Sequence, residues 1–211
     1  MHHLKATNMI HEISKQFYIS QKLQNAFLSI DREIFVPSGC NYLAYTLDAL
    51  PMGANQWISS PLTVAKMTEY LQYETADSVL EIGCGSGYQA AILSRLIRRV
   101  FSIERIERLL QEARARIKAC RLDNINTKLD DGQNGWNAYA PYDRILFSAA
   151  PKEIPQAIIQ QLQEGGILVA PIQNNNKQII TRFRKHNGCL THKEELEVCS
   201  FVPILSNISK E

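Results

Sequence analysis

The chain has 211 residues, long enough for one α/β domain with a large core and too short for two comfortable ones. Hydrophobic content of 45% and charged content of 21% are those of an ordinary globular protein, and a net charge of +2 gives no reason to invoke nucleic acid. No apolar run approaches the ~18 residues of a membrane span, and no signal-peptide core opens the chain. The odd set Cys40, Cys84, Cys120, Cys189 and Cys199 contains no C-x-x-C pair. It fits reduced thiols in a cytoplasmic protein and offers no metal site.

From about Met9 to Ile30 the chain carries helical periodicity through Ile10, Ile13, Phe17, Leu23, Phe27 and Leu28. Arg32–Pro37 follows as an irregular, proline-closed segment. A helix is predicted from Leu62 to Leu71, with Ser60 as its N-cap and Pro61 at the first helical position. Val79, Leu80 and Ile82 form the short apolar run of a central parallel strand, and Arg99–Ile103 reads as a second strand. The segment 106–120 is a helix with Leu109, Leu110, Ala113 and Ile117 as its apolar stripe, so the arginines around it form a solvated face. Strands are expected near Ile125–Leu129, Tyr142–Ser148 and Gly166–Ile172, with a helix over Glu153–Leu162. Two β-rich runs, Gln178–Arg184 and Glu195–Val202, close the chain around Asn187-Gly188 turn chemistry. Alternation of this kind predicts a doubly wound, Rossmann-like α/β sheet, mostly parallel with an antiparallel C-terminal edge.

Val79-Leu-Glu-Ile-Gly-Cys-Gly-Ser-Gly-Tyr-Gln89 carries the most chemistry. A buried strand runs into Gly83, Gly85 and Gly87, which let the backbone approach a ligand, and then into helix-compatible residues. Such a turn holds its ligand outside the carboxyl end of the strand. Tyr88 occupies the place of the third glycine in a dinucleotide fingerprint, and no Lys-Ser or Lys-Thr follows to make a phosphate loop. What remains is E-x-G-x-G-x-G led by Glu81, the pattern used with S-adenosylmethionine. Glu104 ends the next strand, where an acid usually holds a ribose diol. Asp130, Asp131 and Gly132 end the third strand on the same rim, and Asp131 is a candidate acceptor for the adenine amine or the head of an Asx turn.

Further along, the residues resemble the protein-L-isoaspartate O-methyltransferases. The likeness rests on Leu50–Pro61, on Asp131-Gly132 with Gly135-Trp136, and on Ala140-Pro-Tyr-Asp143. Ser148-Ala-Ala-Pro151, Glu164–Val169 and Phe201-Val-Pro-Ile204 complete it. It covers nearly the whole chain, and it implies methylation of the free α-carboxylate of L-isoaspartyl residues, the first step in repairing aged proteins. The resemblance implies Ser59 as the catalytic or positioning hydroxyl, with Ile58, Ala150 and Val202 lining the isoaspartyl pocket. Gln56, Trp57 and Ile58, through Ser59, would fold over the methyl end of the cofactor as a lid. Glu81, Gly83, Gly85, Gly87 and Gln89 would hold it from the glycine loop, and Glu104, Asp131 and Gly132 from the rim. The expected organisation is a single domain: residues 1–60 as helical cap and lid, 61–175 as cofactor core, 176–211 as strands completing the sheet. The expected partners are isoaspartyl-containing proteins and peptides, with no nucleic acid or membrane, and the expected state is a monomer.

A carboxylate is already ionised at pH 7, so its attack on a sulfonium methyl needs no general base and no metal. Such an enzyme supplies positioning and exclusion of water instead. The sequence departs from the family pattern at Trp57, where threonine is usual, at Asn55 and Asp130, where glycine is common, and at Gln133. These departures leave open a different methyl acceptor, or a binding module that keeps the fold without activity.

Overall fold

The computed structural model describes residues 2–174 and 176–210. The N-terminal helical pattern folds as two helices, α1 (His2–Ser14) and α2 (Gln21–Ser29). Ser20 makes the break, because its hydroxyl accepts the Leu23 N–H and so caps a new helix. Helix α1 also begins well before Met9, at residues that periodicity alone does not mark. The irregular segment after it contains a 3-10 turn at Arg32–Phe35, capped by Asp31, and a second at Ser38–Leu43. A small hairpin, β1 (Leu50–Met52) with β2 (Gln56–Ile58), then packs Leu50 and Ile58 against Val36 and Ala44. Strands of three residues are too short to show a period, so the sequence pattern does not reveal them.

Helix α3 (Pro61–Tyr70) starts as expected: the Ser60 hydroxyl accepts the Thr63 N–H at 3.1 Å, and Pro61 takes the first helical position. The main sheet follows: β3 (Ser78–Ile82), β4 (Arg99–Glu104), β5 (Ile125–Leu129), β6 (Tyr142–Phe147), β7 (Leu162–Asn174), β8 (Lys177–His186) and β9 (Cys189–Cys199). Helices α4 (Tyr88–Ser94), α5 (Glu107–Ala119) and α6 (Gln156–Gln161) fill the crossovers. Strand order is β5-β4-β3-β6-β7-β8-β9. The pairs among β3 to β7 are parallel, while β8 and β9 run antiparallel as the C-terminal edge.

Every residue of β3 is buried, as a central parallel strand requires. Its alternation divides the core: Val79 packs with Leu146 and Val169 on one face, Leu80 with Ile145 and Leu168 on the other. Three expected boundaries shift. The helix predicted over Glu153–Leu162 shortens to α6, because Pro155 sits at its N-cap and the chain before it bends without forming helix. Strand β7 begins four residues before Gly166, with its register against β6 broken between Tyr142 and Arg144. Strand β9 covers Cys189–Cys199, so Phe201–Ile204 is not strand; instead it bridges to Ala150. The Asn187-Gly188 turn is present, with both residues at positive φ as a type I′ hairpin needs.

Candidate active site

Strand order reverses at β3, which pairs with β4 on one side and β6 on the other. A crevice therefore opens beyond the carboxyl ends of these strands. It forms an open cleft of about 870 Å³, a figure that includes the solvent at its mouth. The glycine loop crosses its floor. Gly83 has a φ of +100°, and an added Cβ would lie 3.3 Å from the Ser148 carbonyl carbon, so only glycine fits. The N–H groups of Gly83 and Cys84 both donate to the Ile103 carbonyl at 2.9 Å, tying the loop to the end of β4.

Glu104 locks the next piece. One carboxylate oxygen accepts the Gly85 N–H at 2.8 Å, and the other accepts those of Arg105 and Ile106 at 2.9 Å. The side chain is only 6% exposed yet faces the cleft, so three backbone donors fix it there. Glu81 lies deeper and fully buried, accepting hydroxyl protons from Ser102 at 2.5 Å and Ser148 at 2.9 Å. Burial pushes its carboxyl up to about 8, and nearby Glu104 adds to the rise against the two serine hydrogen bonds. The cleft floor thus holds, beside the backbone-bound Glu104, a second acid that is mostly protonated at neutral pH.

The lid side is built by β2 and the start of α3. Ser60 is spent as the helix cap, while among the described residues the Ser59 hydroxyl has no hydrogen-bond partner and lines the cleft. The backbone of Ser59 is held from behind by Arg32, whose Nη2 donates to the Ser59 carbonyl at 2.9 Å and whose Nε donates to the Ala44 carbonyl at 2.7 Å. Arg32 is completely buried, with its guanidinium 4.4 Å over the centre of the Tyr88 ring. Burial lowers its pKa from the ordinary arginine value. Ile58 is buried and Trp57 is 56% exposed, although both line the cleft.

Asp131 closes the far rim. Its Oδ1 accepts the Gln133 N–H and its Oδ2 the Asn207 N–H, each at 3.1 Å, so the Asx turn and a place on the cleft wall are both realised. Asp130 pairs with Lys128 at 2.5 Å. The tail after β9 crosses above, with the Ala150 N–H donating to the Val202 carbonyl at 2.8 Å and the Ile204 N–H to the Ala150 carbonyl at 2.9 Å. Val202 through Leu205 come to the cleft by this path.

Residues 4–209 match the family model described as Protein-L-isoaspartate(D-aspartate) O-methyltransferase (PCMT). The chain belongs to this family. It is similar to the protein-L-isoaspartate O-methyltransferase of Helicobacter pylori strain P12, 59% identical over 99% of this chain and 100% of that one. It is also similar to that of Maricaulis maris, 45% identical over 87% and 86%. A solved protein-L-isoaspartate O-methyltransferase superposes with a TM-score of 0.86 at 26% identity, covering 97% of this chain and 67% of that one. A Plasmodium falciparum structure in complex with S-adenosyl-L-homocysteine shares the fold, with a TM-score of 0.84 at 20% identity over 98% and 99%. The protein is accordingly an S-adenosylmethionine-dependent enzyme of isoaspartyl repair. The cleft fits that cofactor. A Cβ added at Gly85 would meet only Met52 Sδ, at 4.0 Å, so the loop opens onto free space beside the Glu104 carboxylate.

Membership of the methyltransferase family gives the sequence-derived site residues a common frame. Gln56, Trp57, Ile58, Ser59, Glu81, Gly83, Gly85, Gln89, Glu104, Asp131 and Val202 all line the cleft. Gly87, Gly132 and Ala150 do not, and each has another reason for its identity. A Cβ at Gly87 would meet Ala113 at an ordinary contact distance of 3.4 Å, so its φ of +87° is what calls for glycine there. One at Gly132 would lie 2.6 Å from Ile82 Cγ2, so that glycine is needed for packing as well as for its φ of +80°. Ala150 stands behind Ser148 and Ala149 and serves through its backbone, as the anchor of the tail. Sequence reasoning missed Ser102, Ser148 and Arg32 as supports. A signal existed for the serines, since both strands end on the same rim as Glu81; for Arg32, inside an irregular segment, there was none. Among the described residues no helix is long and apolar enough to cross a membrane.

Proposed function

We propose that the methyl transfer of isoaspartyl repair takes place in this cleft, with Ser59 as the hydroxyl that positions the acceptor carboxylate. The observation that carries the assignment is the division of labour between neighbours: Ser60 caps α3, while Ser59 lines the cleft with its hydroxyl free of protein partners among the described residues. The pin from Arg32 fixes the Ser59 backbone, so the hydroxyl is presented from a preorganised position.

S-adenosylmethionine, when bound, supplies a methyl group on a sulfonium that a carboxylate can attack directly. Glu104 would hold the ribose end and Asp131 the adenine end, while Glu81 and the loop of Gly83 and Gly85 would take the amino-acid end, with Gln89 beside them. Gln56, Trp57 and Ile58 form the lid, and Ile58 with Val202 borders the isoaspartyl unit. Ser59 donates its proton to one oxygen of the acceptor carboxylate and leaves the other free to react. No residue has to remove a proton, because the acceptor arrives ionised. The apolar side chains of Ile58 and Val202 exclude water and strengthen that single hydrogen bond.

The chain works in this reading as one methyltransferase domain, residues 1–60 forming cap and lid, 61–175 the cofactor core, and 176–211 the strands that complete the sheet. Residue 175, at the last boundary, lies outside the described residues. The acceptors are isoaspartyl proteins and peptides, and neither nucleic acid nor membrane takes part. The protein acts as a monomer, and it acts in the cytoplasm, the compartment that its five free thiols suit.

The test is transfer of labelled methyl to two matched peptides that differ only in L-isoaspartyl versus L-aspartyl at one position. Base-labile label on the isoaspartyl peptide alone is the expected result, with turnover sharply reduced in Ser59→Ala at unchanged cofactor affinity. Equal labelling of both peptides overturns the acceptor assignment.

A further inference from the structure

The mouth of the cleft is apolar on two sides. Trp57 comes from the β1–β2 hairpin and Leu205 from the tail after β9; both line the cleft, and they are 56% and 49% exposed. An indole left half in water at the edge of a substrate pocket is unused contact area. It is also a rigid platform. The hairpin turn has Ala54 and Asn55 both at positive φ, with the Gln56 N–H donating to the Gly53 carbonyl at 3.2 Å, the geometry of a type I′ turn. Behind the turn the Arg108 guanidinium lies so close that a Cβ at Gly53 would come within 2.6 Å of it. The turn is thus seated on α5, and the register pairing Pro51 with Trp57 places the indole by backbone geometry.

An isoaspartyl unit held at Ser59 is part of a longer chain, and the residues on either side of it must leave through this mouth. We propose that Trp57, with Leu205 facing the same opening, is a specificity-determining contact for the residue next to the isoaspartyl unit, favouring an aromatic side chain there. This rests on the acceptor reading given under Proposed function. An aromatic neighbour stacks on the exposed indole and covers apolar area from both partners, whereas alanine reaches neither wall. A rim contact of this kind acts on binding of the acceptor and leaves the reacting atoms alone, so its effect falls on KM.

The experiment uses isoaspartyl peptides that are identical except for tyrosine or alanine beside the isoaspartyl residue, on either side in turn. Methyl transfer is measured for the native chain and for Trp57→Thr, Trp57→Phe and Leu205→Ala. The native protein is expected to prefer a tyrosine peptide by roughly 3- to 10-fold in kcat/KM, mostly through KM. Trp57→Thr should bring that ratio close to one, Trp57→Phe should keep most of it, and Leu205→Ala should reduce it. Because the readout is a ratio within one protein, a general loss of activity cancels. Equal kcat/KM for tyrosine and alanine peptides in the native protein, or a preference that survives Trp57→Thr, overturns the inference while leaving the isoaspartyl assignment standing. Absence of label on every isoaspartyl peptide, with S-adenosylmethionine binding intact in calorimetry, overturns that assignment and the inference with it.

Discussion

Glu81→Gln tests the electrostatics of the cleft floor most directly. The Glu81 carboxyl, with an ordinary value of 4.5, is held at about 8 by burial among Ser102, Ser148, Cys84 and Glu104. The proton is therefore bound more tightly in the folded chain than in the unfolded one, by about 5 kcal/mol at ~1.4 kcal/mol per pH unit. A raised folded-state pKa gives stability that is fully present below pH 4.5 and is lost as pH rises toward 8. Integrating between those limits, about 3 kcal/mol has gone by pH 7 and about 4–5 kcal/mol by pH 8.5. Glutamine has the shape of the protonated acid and cannot ionise, and the two serine hydroxyls can turn to accept from its amide. The assay is urea unfolding of both chains at pH 5, 7 and 8.5. At pH 5 the variant should equal the native chain or fall slightly below it, and by pH 8.5 it should be the more stable by several kcal/mol. Every other titrating group is common to the two chains and drops out of the difference. A stability difference that stays constant within about 1 kcal/mol across this range would refute the buried, protonated state of Glu81.

Three further outcomes are expected. Ser60→Ala removes the cap on Thr63 and should cost about 1 kcal/mol of stability, whereas Ser59→Ala should leave stability within about 0.5 kcal/mol and lower turnover; denaturation and kinetics on the two variants separate the neighbours. Glu104→Ala frees three backbone N–H groups and removes the candidate ribose carboxylate, so S-adenosylmethionine affinity measured by calorimetry should fall, and unchanged affinity would sink the ribose role. Gly132→Ala drives a Cβ to 2.6 Å from Ile82 Cγ2 at a φ of +80°, and thermal unfolding should register about 2–4 kcal/mol of destabilisation from overpacking and strain together.

Much of this arrangement was legible in the chain, and the parts that were not share a cause. Strand β3 and the cap of α3 were read within a residue of their true positions, because a run of apolar residues and a Ser-Pro start are local signals. The helical periodicity over Met9–Ile30 does not show where one helix ends and the next begins, because Ser20 could either continue a helix or cap one, a choice that apolar spacing does not make. The hairpin that carries Trp57 is three residues a side and was invisible to any period. Among site residues, glycines were easy to find and hard to assign. Gly83 and Gly85 line the cleft, the first backed against Ser148 and the second open to free space, while Gly87 and Gly132 lie against Ala113 and Ile82, yet all four look alike in the sequence. Arg32 was beyond reach for a different reason: its role is to touch the Ser59 carbonyl 27 residues away, and nothing near it in the chain marks that contact.

The charge arrangement shows how the cleft can serve two reactants of opposite sign. An acceptor carboxylate must enter a space already bordered by Glu81, Glu104, Asp130 and Asp131, and four free anions there would repel it. Each is answered within the fold. Glu81 is mostly protonated, Glu104 is shared among three backbone N–H groups, Asp131 between two, and Asp130 is paired with Lys128. On the acceptor side the only fully buried cation, among the described residues, lies directly behind Ser59: Arg32, which has no carboxylate partner of its own and is held by two carbonyls and a tyrosine ring. Its charge sits in a low-dielectric setting where distance screens it weakly, and under the proposed acceptor position it would favour an anion at the Ser59 hydroxyl without touching it. Under the proposed assignment, acids whose charge is already answered within the fold border the cofactor end, and a buried cation stands behind the acceptor end. That polarity is what carboxyl methylation without a general base requires, since the work left to the protein is to bring the two charges together in line.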